Sequence, residues 1–420
     1  MNKRDFLRQM VGLAAVSPFL PMTLKANTIN VPEGYDYHFE DDFWKRIRKD
    51  YALKPEYVNL ENGYYNIAPQ PTINKFVEHV KMVNYQGSHY MRTVQWDNKK
   101  RVADKLARLV NCGNDELVIT RNTTESLDLI IGGFPWKAGD EAVFAKQDYG
   151  SMRDHFELVA KRYGIVNKII SVPNHPASDE EIVALYESQI TPKTRLIMVC
   201  HMINITGQIL PVRKICDMAH SHGVEVMVDG AHCVGHINVD IKELDCDYYG
   251  SSLHKWLSTP LGAGLLYVSR DHIPKIWPLL ADFIDDPNDV RRLNHTGTHP
   301  VHTDLAIEDA IDYLEVIGME RKEKRMRQLQ RYWSNQLRTT PKVVINTPLE
   351  PHRSCGIANV GIEGIKPAHL AKTLLDEFKI FTVAIDYANV QGCRITPNVY
   401  TTFDELDQFV KAIKTLAERV

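Results

Sequence analysis

The sequence lacks the features that would place it in a membrane, on nucleic acid or in a disulfide scaffold. No apolar run reaches the length needed to span a bilayer. Fifty Lys and Arg against 53 Asp and Glu leave a net charge of -3, too balanced for a basic nucleic-acid surface or a membrane-binding one. The cysteines, at 112, 200, 216, 233, 246, 355 and 393, form no CxxC pair and no Cys/His ligand spacing. That argues against a structural zinc site or any other metal site, and points to reduced, mostly buried thiols rather than cross-links. There is no repeat at solenoid period and no low-complexity tract. The loop Arg121-Asn122-Thr123-Thr124-Glu125-Ser126 stands where a nucleotide-binding oxidoreductase needs G-x-G-x-x-G, so that class is a poor fit.

What is present is an ordinary globular composition, 44% hydrophobic and 25% charged, in a chain of 420 residues, too long for one simple domain. Residues 2–8 are charged, Met10 to Leu20 is modestly apolar, and small residues follow up to Ala26. This is the order of an export signal. Lys3 stands where the twin-arginine pattern has its first arginine, and Phe6-Leu7 sits at the expected offset. Residues 1–27 therefore read as a twin-arginine-like signal to the periplasm, with the cytoplasm as the alternative.

Apolar runs at Leu117–Thr120, Glu141–Ala145, Ile165–Ser171, Arg195–His201, Val224–Val228, Cys246–Ser251 and Ala263–Val268 read as strands. Helical patterns lie between most of them, which makes the fold class α/β with a mostly parallel sheet flanked by helices. The last two runs are joined by a link too short for a helical crossover, which points to an antiparallel strand at one edge. Val58–Tyr65 reads as a strand ending in a Gly turn, and Asp304–Leu337 as one long helical stretch. Composition changes near Asp285–Pro300. An N-terminal arm and large domain then occupy residues 28–300, and a smaller C-terminal α+β domain residues 301–420. Thr402 and Glu405 fit a capping box for the last helix.

The chemistry gathers in Val224–Leu257. One apolar run ends on Asp229, with His232 three residues on; a second ends on Ser252, His254 and Lys255. Ligands in open α/β sheets sit at that end of the strands. A lysine amine forms a Schiff base with an aldehyde when burial or positive charge lowers its pKa. After a strand it is more often a solvated surface residue, but here Trp256 and an apolar strand follow. A buried carboxylate such as Asp229 keeps a pyridine nitrogen protonated; alternatively it caps the next helix. Thr123 and Thr124, between a strand and a helix, supply hydroxyls and N–H groups for a phosphate, or simply cap the helix.

These pieces, with the N-T-T-E-S loop and Cys393-Arg394-Ile395-Thr396-Pro397, resemble the class V aminotransferase-type enzymes of pyridoxal phosphate fold type I, from about Asn59 to the C-terminus. The likeness is nearest to isopenicillin N epimerase-like and exported aminotransferase-like proteins. The resemblance implies pyridoxal 5'-phosphate as cofactor, with Lys255 as its Schiff base and Asp229 at its ring nitrogen. It implies phosphate contacts from Thr123, Thr124, Ser252 and His254, and ring contacts from Tyr149, His232 and Asn204. It places Thr298 on a loop reaching the phosphate of a second copy, hence a homodimer with shared active sites. Arg394 becomes the partner of a substrate carboxylate. Asn62, Tyr64 and Arg92 lie in segments that either line the substrate side or simply pack.

The reaction implied begins with an external aldimine of an amino acid or amino-acid-like substrate, from which Lys255 removes the α-proton. An aminotransferase is the reading; an epimerase or racemase, or a lyase eliminating at the β-carbon or a C–S bond, is the alternative. A desulfurase needs a nucleophilic cysteine before the terminal arginine, and residues 381–392 contain none. A catalytically silent binding protein would have lost Lys255 or Asp229, and both are present.

Overall fold

Strands covered on both faces are apolar at every position, and the central strands are written that way. The computed structural model describes residues 41–281 and 283–420; the expected export signal lies outside the described residues. The first eight strands are β1 (Val58–Asn59), β2 (Leu117–Thr120), β3 (Glu141–Ala145), β4 (Val166–Ile170), β5 (Thr194–Cys200), β6 (Glu225–Asp229), β7 (Tyr248–Ser252) and β8 (Gly264–Val268). All but β1 form one sheet in the order β2-β8-β7-β6-β5-β3-β4. Its side chains alternate between two cores. Val143, Ile197, Val199, Val226 and Val228 enter one, and Phe144, Leu196, Met198 and Met227 enter the other. A period of two with both faces apolar is what a doubly covered strand requires.

Strands β3 to β7 pair in parallel, and β8 runs against both its neighbours. The antiparallel strand is thus real but does not sit at the edge: β2 closes it off. An open β8 would present a row of unpaired N–H and C=O groups, and β2 satisfies them.

The helix Val301–Ile317 packs on Gln70–Gln86 and Gln95–Leu109 and contributes to the first of these cores. Gly318, at φ +88°, separates it from Met319–Leu337, so the single long stretch read from the sequence is two helices. Beyond lie β9 (Val343–Ile345), β10 (Ala358–Ile362), β11 (Ile380–Phe381), β12 (Val383–Tyr387) and β13 (Val390–Ile395). Four of these form an antiparallel sheet, β12-β13-β10-β9. Helices Met319–Leu337, Pro367–Phe378 and Phe403–Glu418 share its core, which includes Trp333, Leu370, Leu374 and Phe409. The last helix carries the capping box of Thr402 and Glu405.

The strand read over Val58–Tyr65 is shorter than expected. Only Val58 and Asn59 pair, in parallel with Ile380 and Phe381 of β11. The residues after them turn instead, because Glu61 accepts the N–H groups of Gly63 and Tyr64. A short helix, Ser88–Thr93, covers the segment that holds Arg92. All seven cysteines are unpaired, and all but Cys112 are buried.

The loop after β5 leans on the C-terminal region. Thr347 donates to the carbonyl of Thr206 at 2.6 Å, and Gly207 sits at φ +76° where an added Cβ would lie 2.0 Å from the carbonyl oxygen of Ile357. Gly207→Ala is expected to cost on the order of 3 kcal/mol, from strain and a backbone clash. Gly150→Ala, where nothing lies within 4 Å, is the control. Urea midpoints check both.

Candidate active site

β2, β3, β5, β6 and β7 all point the same way, so the residues that follow them meet along one edge of the sheet. Asp229 ends β6 with its side chain buried. One oxygen accepts the Ala231 N–H at 3.0 Å, and no cation lies within ion-pair distance among the described residues. Burial raises its pKa, the Ala231 N–H and Lys255 pulling the other way. A buried carboxylate in this state needs a charged or N–H partner.

Lys255 follows β7. Burial lowers its pKa to about 8; Asp229 opposes that shift and Arg394 reinforces it. Its Nζ lies 3.1 Å from His232 Nε2, and the other ring nitrogen of His232, Nδ1, accepts the Trp256 indole N–H at 3.1 Å. Burial, followed by the Lys255 charge, holds His232 well below its ordinary pKa.

The hydroxyls expected at a phosphate are at the start of the helix Thr123–Gly133. Ser252 Oγ accepts the Thr123 N–H at 2.9 Å and lies 2.7 Å from Thr123 Oγ1. Asn122 caps that helix through the Glu125 N–H, and Thr124 follows in its first turn. Gly264 stands beside this turn because a Cβ there would lie 2.7 Å from the Asn122 backbone. His254 Nδ1 is buried without a hydrogen-bond partner, and burial lowers the ring's pKa to about 4. Tyr149 precedes the helix Gly150–Tyr163 and is 47% exposed.

Arg394, on β13, is buried and already engaged. Its Nη2 and Nε reach the two carboxylate oxygens of Glu61, at 2.5 and 3.2 Å, and its Nη1 donates to the Asn204 carbonyl at 3.2 Å. Three of the five guanidinium N–H bonds are used there, leaving one on each terminal nitrogen. Asn204 thus enters through its backbone. Asn62 is wholly committed inside the chain: Nδ2 donates to the Thr396 carbonyl, and Oδ1 accepts the hydroxyl of Tyr400. Tyr64, Arg92 and Thr298 are exposed; none of the three side chains hydrogen-bonds to the residues above.

Two participants escaped the sequence reading. Glu61 sits in a stretch read as a strand, so its turn and its partner 333 residues away were invisible. Trp256, read only as a sign of burial, is a donor to His232; a donor-only side chain next to the lysine was the available signal.

The geometry fits an aromatic phosphorylated aldehyde: a depressed amine, a carboxylate short of a partner, a helix start lined by two hydroxyls, and an orphaned imidazole nitrogen. A sequence profile of the family described as aminotransferase class-V matches residues 68–409. The isopenicillin N epimerase of Streptomyces clavuligerus is 26% identical over 390 residues, covering 89% of this chain and 98% of that protein. The isopenicillin N epimerase of Amycolatopsis lactamdurans is 28% identical over 398 residues, covering 89% and 99%. A cysteine desulfurase from Thermococcus onnurineus superposes with a TM-score of 0.79 at 21% identity, over 89% of this chain and 98% of that one, and so shares the fold. The chain belongs to the aminotransferase class-V family of enzymes.

Proposed function

We propose that this chain is a pyridoxal-phosphate-dependent enzyme in which Lys255 removes the α-proton of an amino acid or amino-acid-like substrate, and that its reaction is transamination. The cofactor supplies an aldehyde for the lysine and a ring that accepts the electrons of the broken C–H bond. Asp229, buried and without a cation among the described residues, would hold the proton of the ring nitrogen. Thr123, Thr124, Ser252 and His254 would hold the phosphate, and Tyr149 would lie against the ring. His232 would contact the ring oxygen, with Asn204 contributing from the loop whose carbonyl holds Arg394. Thr298, exposed on its own chain, would reach the phosphate of the second copy in a homodimer.

The observation that carries this reading is Lys255 itself, a buried amine with a pKa brought down to about 8 beside Asp229 and His232. A lysine so depressed is a nucleophile and a proton acceptor near neutral pH. One amine working on one face of the substrate suffices for an aminotransferase. Epimerisation is the second reading, favoured by the two full-length epimerase relatives; it needs an additional acid on the other face. Cysteine desulfurases are also among the relatives, but a persulfide-forming thiol is not offered by Cys393, which is buried in β13 and whose thiol burial pushes up to about 12; a C–S or β-elimination lyase stays the alternative.

The two free N–H bonds of Arg394 match the two oxygens of a carboxylate. Glu61 leaves them available while neutralising the guanidinium, so the pair binds a carboxylate by directed hydrogen bonds more than by net charge.

Four outcomes are expected. Pyridoxal phosphate added to the protein gives a visible band that Lys255→Ala abolishes. Its rate of capture rises with pH to a plateau just above about 8, because the neutral amine is the reacting form and its population rises through that pKa; an unshifted lysine would give a rate still climbing near pH 10. Glu61→Gln leaves Arg394 buried without its counter-charge and costs on the order of 3 kcal/mol, part of which added acetate restores in a thermal melt. Incubation with amino acids in deuterium oxide separates the reactions. Keto-acid release supports transamination, and α-deuterated product of inverted configuration without keto acid supports the epimerase.

A further inference from the structure

The contact between Trp256 and His232 decides more than packing. An indole nitrogen carries a hydrogen and can only donate. Trp256 Nε1 lies 3.1 Å from His232 Nδ1, and both groups are buried. His232 Nδ1 must therefore accept. The imidazolium and the Nδ1–H tautomer would each set two hydrogens against one another there. The remaining form carries its hydrogen on Nε2, the nitrogen 3.1 Å from Lys255 Nζ.

The indole is held in place from several sides. Its ring stacks on His236, with centroids 3.8 Å apart and planes at 19°. Its carbonyl oxygen accepts the buried Lys322 Nζ at 2.5 Å. His236 is fixed by the same logic: Nε2 accepts the Gly356 backbone N–H at 2.8 Å, so Nδ1 carries the hydrogen and donates to the His232 carbonyl at 2.9 Å. Two histidines, four residues apart, are each locked into one tautomer by an N–H that has no other role open to it.

We propose that Trp256 is a positioning residue: its indole N–H holds His232 as the Nε2–H tautomer, so that the ring faces Lys255 as a hydrogen-bond donor and never as a base. An Nε2–H can bond to Lys255 Nζ only when the amine is neutral and offers its lone pair. The assembly thereby favours the reactive form of Lys255, and it leaves the α-proton to Lys255 alone. His232 is also surrounded by the positive or titratable groups Lys255, Arg394, His236 and His254, which oppose its protonation. Asp229 and Glu61 are the carboxylates whose charge acts on Lys255 in the opposite sense.

The tautomer does not rest on the reading of the cofactor; its effect on Lys255 deepens that reading. The test has two parts. Nitrogen-15 NMR of histidine-labelled, cofactor-free protein is expected to show His232 with its hydrogen on Nε2, and a mixture of tautomers in Trp256→Phe, which keeps a ring over His236 but removes the donor. The pH midpoint for capture of pyridoxal phosphate by Lys255 is expected to rise by about one unit in Trp256→Phe, the loss of one buried hydrogen bond. In a His232→Phe background the same substitution is expected to add nothing, because no ring nitrogen is left for the indole N–H to set. His232 found as imidazolium or as the Nδ1–H tautomer in the wild type would overturn the proposal, whether or not the variant folds. So would a midpoint that Trp256→Phe leaves in place. A protein that never develops a visible band would count against the cofactor reading, while the NMR result would still decide the tautomer.

Discussion

A lysine amine kept out of water cannot carry its charge cheaply, and the site is built around that cost. β6 and β7 are neighbours in parallel, so the residues after each arrive side by side, Asp229 and His232 from one and Lys255 from the other. The burial that brings Lys255 down to about 8 also denies Asp229 a solvated environment and keeps His232 uncharged. The three groups therefore cannot be treated one at a time. Charge added to any one changes what the others can hold, so the apolar strands behind them matter as much as the polar residues in front.

The α/β fold, and the strand ends that carry the chemistry, were legible because buried parallel strands are short apolar runs and their last residues are polar. Asp229, Ser252 and Lys255 stood out for that reason. What depended on long-range pairing was hidden. Glu61 pairs with Arg394 across nearly the whole chain, and nothing local in Leu60-Glu61-Asn62 announces a buried carboxylate. The position of β8 inside the sheet depended on where β2 would dock, which no local pattern encodes. Gly318 is a single residue in an otherwise helical run, and its positive φ is visible only in the folded chain. Asn62 stood in a candidate substrate segment, yet its amide is spent on Thr396 and Tyr400.

The C-terminal region contributes through contacts rather than through a second set of reactive groups. It supplies Arg394, supports the Asn204 loop through Thr347, and through Gly356 orients His236 beneath Trp256. These links run from an antiparallel sheet with its own apolar core into the edge of a parallel one. Burial makes them stiff, since each broken bond would leave a polar group without a partner.

The pairing of Val58–Asn59 with Ile380–Phe381 has a consequence for assembly. The segment that carries Glu61 is made early in synthesis, and the strand it pairs with, like Arg394, is made near the end. Closing so long a loop is slow and comes late in folding. A chain still short of β13 can set Lys255 beside Asp229, but it lacks Arg394, whose charge helps to lower that lysine. Lys255 therefore reaches its final pKa only as the last strand docks, together with the closing of the Glu61–Arg394 pair.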